Sequence, residues 1–349
     1  MGCLVNTRYD HKALDFDPRV DVACAAATSC DEVGFDTILQ VYHHDWHGIA
    51  SASAALPGRK LRLDANLLDE AAFQVVLRFV ESEMIRVVCF QGFSEAAEGL
   101  LRYLKTHTGD AVRFYAVSHV TSTQFQAPFE IRMLAALRRC RTEGVLAAIG
   151  SVKPHFHEVM PETWRPTLIN FCPKAVSKLA PVPGRVFIPL ENHWRKGLYT
   201  NLLAALRVEE TSEIRCVHEP RHLEALEDLQ RVTVTGFLPR ADIREEMARA
   251  EVVMNVSLAE CQPMTQLEAY ALGRPCLTGP LGIGEFADDA ITKLCTVEHT
   301  DTPHGIIAKL KALYAIWRRD PDAMLQMTQE HVMRRNTLAA SRYNEFFSL

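Results

Sequence analysis

The sequence predicts an α/β protein made of two doubly wound domains facing across a cleft. Three observations predict it. Short apolar and β-branched runs alternate with amphipathic stretches along almost the whole chain, the pattern of strands covered by helices on both faces. The alternation breaks once, at "CPKAVSKLAPVPGR" (172–185), whose three prolines and one glycine make it the best linker, and then restarts. The 349 residues exceed one ordinary core and suit two of roughly 150–175 residues each.

The elements follow in order. "TILQVY" (37–42) is expected as a strand, "HGIASASAAL" (47–56) as a helix and "LRL" (61–63) as a short strand. Helix 70–83 repeats its apolar residues at close to 3.6 positions. Strand 85–90, helix 94–107, strand 113–118 and helix 128–144 continue the alternation, and strands 145–150 and "TLINF" (167–171) close the first half. After the linker come strand 186–190, helix 196–208, strand 214–219, strand 232–238, helix 240–250 and strand 252–257. A short helix at 263–272, a strand in "PCLTG" and two long helices (303–319 and 322–346) complete the chain. The domains are therefore set at 1–175 and 176–325, with 326–349 a closing helix that packs back on the first domain.

Composition narrows the partners. Hydrophobic residues are 48% and charged residues 23%, and the net charge of −5 supplies no global field toward nucleic acid or anionic lipid. Ten scattered cysteines without a C-x-x-C pair, several inside apolar runs, point to reduced thiols and a cytoplasmic protein. No apolar run approaches the ~20 residues of a membrane span. "MGCLVNT" has Asn6 where an acylation signal needs Ser or Thr, so it is read as an ordinary start.

Ligands of doubly wound sheets bind outside the carboxyl ends of the strands. The loop after strand 252–257 holds Glu260, and "ECQPMTQLE" runs through Gln262 and Pro263 into a helix bearing Glu268. Pro263 fits the first helical position, Met264, Leu267 and Ala271 form an apolar stripe, and Gly273 with Pro275 ends the helix. The amides of Met264 and Thr265 then form an anion site at the positive end of the helix. Two glutamates beside an anion site suit a ligand with phosphates in its middle and hydroxyl-rich groups on either side.

This stretch resembles the E-x-x-x-x-x-x-x-E region of retaining, GT-B-fold glycosyltransferases of the family 4 type. "KGLYTNLLAAL" (196–206) and "TGFLPRADI" (235–243) are similar to that family's K-G helix and G-x-(V/L)-P loop, in the same order. The resemblance covers about 185–300 and implies two Rossmann-like domains. It further implies that Glu268 accepts the donor's ribose hydroxyls, that Glu260 lies beside the transferred sugar, and that Lys196 neutralises the diphosphate leaving group. Met264 and Thr265 would bind the distal phosphate, and Gly236, Phe237 and Leu238 would wall the nucleobase. His119 matches a family histidine that faces the donor sugar. No cofactor is implied beyond a UDP-, GDP- or dTDP-sugar as co-substrate. Three departures stand out. The family's arginine before the lysine is missing from "PLENHW", leaving Arg195 as its substitute; Cys261-Gln262 replaces the usual Gly-Phe; and "HHDWHGIAS" replaces a glycine-rich loop.

His43, His44, Asp45, Trp46 and His47 are expected on the acceptor side. Read as metal ligands, the three histidines lack a completing set, and no metal site is assigned. "DFD" (15–17) precedes any strand and is set aside. Helix 128–143, with Arg132, Arg138, Arg139 and Arg141, is either an ordinary surface helix or a peripheral membrane contact. The function expected is sugar transfer, without a metal, to a glycan, lipid-linked or other hydroxyl acceptor, a modified DNA base included. The alternatives are another nucleotide-sugar enzyme on the same fold, such as an epimerase or a glycan phosphorylase, and an inactive binding subunit.

Overall fold

In the computed structural model, residues 20–23, 35–43, 45–64, 69–175, 177, 179–221 and 229–348 are described. The chain divides into two units, Met1–Phe171 with Ala339–Leu349, and Cys172–Leu338.

The first unit is built on strands β1 (Val20–Ala23), β2 (Ile38–His43), β3 (Arg59–Leu63), β4 (Val87–Gln91), β5 (Arg113–Ser118) and β6 (Ala148–Ser151). Their order is β1-β3-β2-β4-β5-β6. β1 runs antiparallel to β3 at one edge and was not anticipated from the sequence; the other pairs are parallel. Every residue of β2 and β4 is buried, as expected for parallel strands between helical layers. The covering helices are α1 (His47–Ala55), α2 (Glu70–Ser82), α3 (Glu95–Thr108) and α4 (Pro128–Thr142). Side-chain caps start two of them: Asp69 accepts from the Ala71 amide and Ser94 from the Ala97 amide. α2 buries Ala72, Phe73, Val76, Phe79 and Val80, the face its apolar spacing marks.

One strand expectation fails here. Residues 167–171 carry no strand ladder; the Leu168 amide donates to Ser151 O at 2.9 Å, and Pro166 before them has no N–H to offer. Their apolar run reflects burial instead. Leu168 packs against Gly150, where an added Cβ would lie 2.3 Å from it, and Phe171 meets Tyr343 with centroids 6.1 Å apart. The same end of the chain seats Phe346 and Phe347 on Tyr115, whose hydroxyl donates to Phe347 O at 3.1 Å.

The second unit contains β7 (Arg185–Ile188), β8 (Glu213–Cys216), β9 (Val232–Val234), β10 (Val252–Asn255) and β11 (Cys276–Thr278). All pairs are parallel, in the order β11-β10-β7-β8-β9. Its helices are α5 (Leu198–Leu206), α6 (Arg240–Arg249), α7 (Met264–Ala271), α8 (Ala290–Cys295), α9 (Pro303–Arg319) and α10 (Pro321–Phe347). α8 was not expected, and the single helix expected at 196–208 is split by Gly197 into the 3-10 turn Trp194–Lys196 and α5. α10 passes from the second unit into the first at Leu338–Ala339. No described helix is long and apolar enough to cross a membrane.

Strand order reverses between β2 and β4 in the first sheet and between β7 and β10 in the second. The loops leaving those strands open the crevices in which doubly wound sheets take ligands.

Candidate active site

In the second unit the crevice is built by two loops that one buried amide ties together. After β7 the chain enters the turn Trp194–Lys196, whose first amide bond is capped as the His193 ring accepts from Arg195 N. Gly197 then adopts φ 65°, a conformation that disfavours any side chain, and an added Cβ would lie 3.1 Å from Val256 O. Asn201, fully buried on α5, donates to Gly197 O and Val256 O at 2.8 Å each and accepts from the Val256 amide at 3.2 Å. The turn is thereby fixed against the end of β10. The sequence signal was there, one asparagine in the apolar "LYTNLLAAL", but its partner loop was not legible.

The result is a charge cluster. Lys196 Nζ lies 2.5 Å from Glu260 Oε1, while Arg195 donates to Ala259 O at 2.7 Å and stands 3.8 Å from the same carboxylate. The three side chains are only 15–19% exposed, so their interactions are weakly screened. Arg195 O in turn accepts from Leu258 N at 2.9 Å, joining the two loops by backbone as well.

From Glu260 the loop leads into α7. Pro263 is the residue before the helix (φ −66°, ψ 122°) rather than its first residue, a correction to the sequence expectation. Its carbonyl accepts from Gln266 and Leu267, so Met264 and Thr265 occupy the helix start, where amides precede the first intrahelical bond. Met264, Leu267, Ala269 and Tyr270 are buried, which explains the fixed seat of so short a helix. Glu268 is 7% exposed, and its Oε1 lies 3.3 Å from Arg240 at the start of α6. Arg240 was missed in the sequence, as was Arg335 of α10, which donates to Gln262 Oε1. After β9, Gly236 (φ 73°) has open space where a Cβ would stand, Phe237 is 73% exposed and Leu238 is half-buried.

The first unit's crevice is furnished differently. His43 ends β2 at 2% exposure, with Nδ1 3.0 Å from Leu63 O and Nε2 2.7 Å from Ser94 Oγ. A carbonyl can only accept, so Nδ1 carries the proton and Nε2 accepts from the Ser94 hydroxyl. His43 is thus a framework residue and does not line an acceptor's approach as expected. His44 lies outside the described residues. Asp45 and His47 are exposed, and half-buried Trp46 packs edge-on to His43 (4.3 Å) and Phe129 (6.0 Å). Gly92 is required beneath Trp46, since a Cβ there would meet the indole at 2.8 Å. His119 Nε2 lies 2.8 Å from Gln91 Oε1, and Gln91 Nε2 donates to Gln40 Oε1 at 2.9 Å. That chain puts the ring proton on Nε2, and burial lowers the His119 pKa to about 4.

No group of three or more metal-ligating side chains occurs among the described residues. On α4, three of the four arginines meet carboxylates: Arg132 with Glu95, Arg138 with Glu162 and Arg139 with Glu98. Arg141 donates to Leu146 O. The seven described cysteines are buried, in keeping with the apolar runs that hold several of them.

Residues 190–315, which hold Lys196, Glu260 and Glu268, match the family "Glycosyl transferases group 1". This segment is a group 1 glycosyltransferase domain. Solved structures agree with the fold over most of the chain. The Anabaena protein HepE in complex with UDP aligns with TM-score 0.60 and 13% identity, over 89% of this chain and 100% of that one. Sucrose-phosphate synthase from Thermosynechococcus elongatus aligns with TM-score 0.55 and 13% identity, over 89% and 99%. A putative UDP-N-acetylglucosamine 2-epimerase from Listeria monocytogenes gives TM-score 0.53 and 11% identity, over 89% and 97%. A comparison with curated proteins finds no match. The glycosyltransferase has the GT-B fold.

Proposed function

We propose that this glycosyltransferase transfers a sugar from a nucleotide-sugar to a hydroxyl acceptor with retention and without a metal ion. The observation that carries the proposal is the meeting of Lys196 and Glu260 at the crevice between β7 and β10, beside the amino end of α7. A diphosphate would take the Met264 and Thr265 amides for its distal phosphate and Lys196 for the charge that develops on departure, the work a metal ion does elsewhere. Glu260, released from Lys196 by the incoming phosphates, would then turn its carboxylate to the sugar hydroxyls. Glu268 would accept the ribose hydroxyls, and Phe237 would lie against the base. In the first unit, His119, Asp45, Trp46 and His47 remain the candidates for sugar and acceptor contacts. His119 would act there as a neutral hydrogen-bonding group, since its low pKa leaves it uncharged at pH 7. No side chain of the cluster is placed as a dedicated nucleophile, so positioning and leaving-group stabilisation would carry most of the rate.

A calorimetric panel of UDP, GDP and dTDP and their sugars tests the proposal, and the UDP bound to HepE puts UDP first. Glu268→Ala should weaken the true donor roughly tenfold to a hundredfold through loss of charge-assisted bonds. Turnover should survive EDTA. Binding by none of the nucleotides, with the fold intact, would leave a binding subunit as the reading. The likeness to a putative epimerase sets the second enzymatic reading, which acceptor-independent turnover of the nucleotide-sugar would reveal.

A further inference from the structure

Gln262 stands where the resembling family carries an aromatic residue, and its side chain is buried. An unanswered amide there would be costly. Its Oε1 accepts from Arg335 of α10, which is itself 1% exposed and heads the largest fully buried side chains of the chain. The same guanidinium sits over Phe286, 5.0 Å from the ring centroid, in the 3-10 turn Gly284–Phe286 that follows β11. Burial draws the Arg335 pKa down, and the Asp289 carboxylate opposes that shift. The next residue, Asn336, accepts from the Cys172 amide at 2.8 Å. A buried guanidinium is retained only where its geometry is well satisfied, and a planar fork fixes the orientation of what it holds in a way a lysine does not. What it holds here is the loop between Glu260 and the start of α7.

We propose that Arg335 is a positioning residue for the nucleotide-sugar: through Gln262 it fixes the Glu260–Pro263 loop, and with it the Met264 and Thr265 amides, in the geometry a diphosphate requires. This rests on the function proposed above. Two consequences follow from the placement. The guanidinium adds a permanent positive charge behind an amino helix end that already favours anions. The pair also gives the polar Gln262, which departs from the resembling motif, a buried partner.

The test uses the full-length protein and four variants: Arg335→Met, Arg335→Lys, Gln262→Met and the double variant Gln262→Met/Arg335→Met. Amide hydrogen exchange across 258–264 is followed without ligand, and affinity for UDP, GDP and dTDP by calorimetry. In Arg335→Met, exchange in this loop should rise while the strands of the first unit keep their protection, and diphosphate affinity should fall about tenfold. Arg335→Lys should recover part of that affinity. The double variant removes both sides of the bridge together, so its thermal midpoint should fall by less than the two single losses summed, without regaining affinity. It also keeps the test open where a single variant fails to fold. Unchanged loop exchange in the double variant, or diphosphate affinity equal to wild type there, overturns the role of Arg335. Wild-type protein that binds no nucleoside diphosphate overturns the functional reading instead, so the two failures are told apart by separate measurements.

Discussion

Two crevices with the same topological origin differ in what fills them. At the β7/β10 reversal, Lys196, Arg195, Glu260, Arg240 and Glu268 form two partly buried ion-pair groups. At the β2/β4 reversal, Gln40, Gln91, His43, Ser94 and His119 form neutral hydrogen-bonded chains, with His119 held uncharged by burial. On the proposed function, the parallel sheet would decide where a ligand binds, and side-chain charge which kind. A cluster that satisfies its own charges in the absence of ligand can exchange those partners for a phosphate and a hydroxyl-rich sugar. A neutral chain with its protons already assigned offers directional hydrogen bonds and no field, which suits an uncharged hydroxyl compound.

The largest effect that separates the crevices is expected at Lys196. On the proposed function, Lys196→Ala removes the cation facing the leaving diphosphate, and kcat/KM should fall by roughly 10²–10³, the usual loss for one donor aimed at developing charge. Stability should fall by about 1–2 kcal/mol, because the weakly screened Glu260 carboxylate loses the cation 2.5 Å away and keeps Arg195 at 3.8 Å. Steady-state kinetics beside a urea titration checks both. A large stability loss with unchanged kcat/KM would make the Lys196–Glu260 pair structural and would erase the contrast between the two crevices.

That contrast also explains what could be read from the sequence. Local patterns were legible: the apolar spacing of α2, the stop at Gly273, and the eight-residue step from Glu260 to Glu268 are all encoded within a few turns of chain. Partners distant in sequence were not. Arg335 lies 73 residues from Gln262, and Arg240 lies 28 from Glu268, so nothing local announced either contact. His43 misled for a related reason, because a histidine looks the same in sequence whether its nitrogens face solvent or are engaged by Leu63 O and Ser94 Oγ. "TLINF" misled because burial beneath aromatic side chains writes the same apolar run as a strand does.

An effect of intermediate size tests His43. His43→Ala leaves the Leu63 carbonyl and the Ser94 hydroxyl without this partner in a buried site, and should cost about 1–3 kcal/mol of stability. Nucleotide affinity should be unaltered, because the loss falls on the framework of the first unit. Denaturant unfolding with a parallel calorimetric titration reports the two quantities. Weaker acceptor or nucleotide binding at unchanged stability would restore His43 to the lining of the crevice.

The smallest effect is a dependence on pH, and its sign follows from the direction of the His119 shift. The folded pKa of about 4 lies below the ordinary 6.5, so as pH falls through 6.5 the unfolded chain gains a proton that the folded one refuses. The stabilisation associated with neutral His119 is complete above 6.5 and is lost progressively between 6.5 and 4. His331, in the second unit, is lowered to about 4 by burial and the nearby Arg335, and loses stability over the same window. His119→Gln can still donate to Gln91 and does not titrate, so it should remove about half of the histidine-linked fall. Urea midpoints for wild type and variant between pH 6.5 and 5, above the range where most carboxylates titrate, measure it. Parallel curves would mean that His119 takes up its proton in the folded protein, and the first unit's crevice would then carry a charge after all as the pH drops.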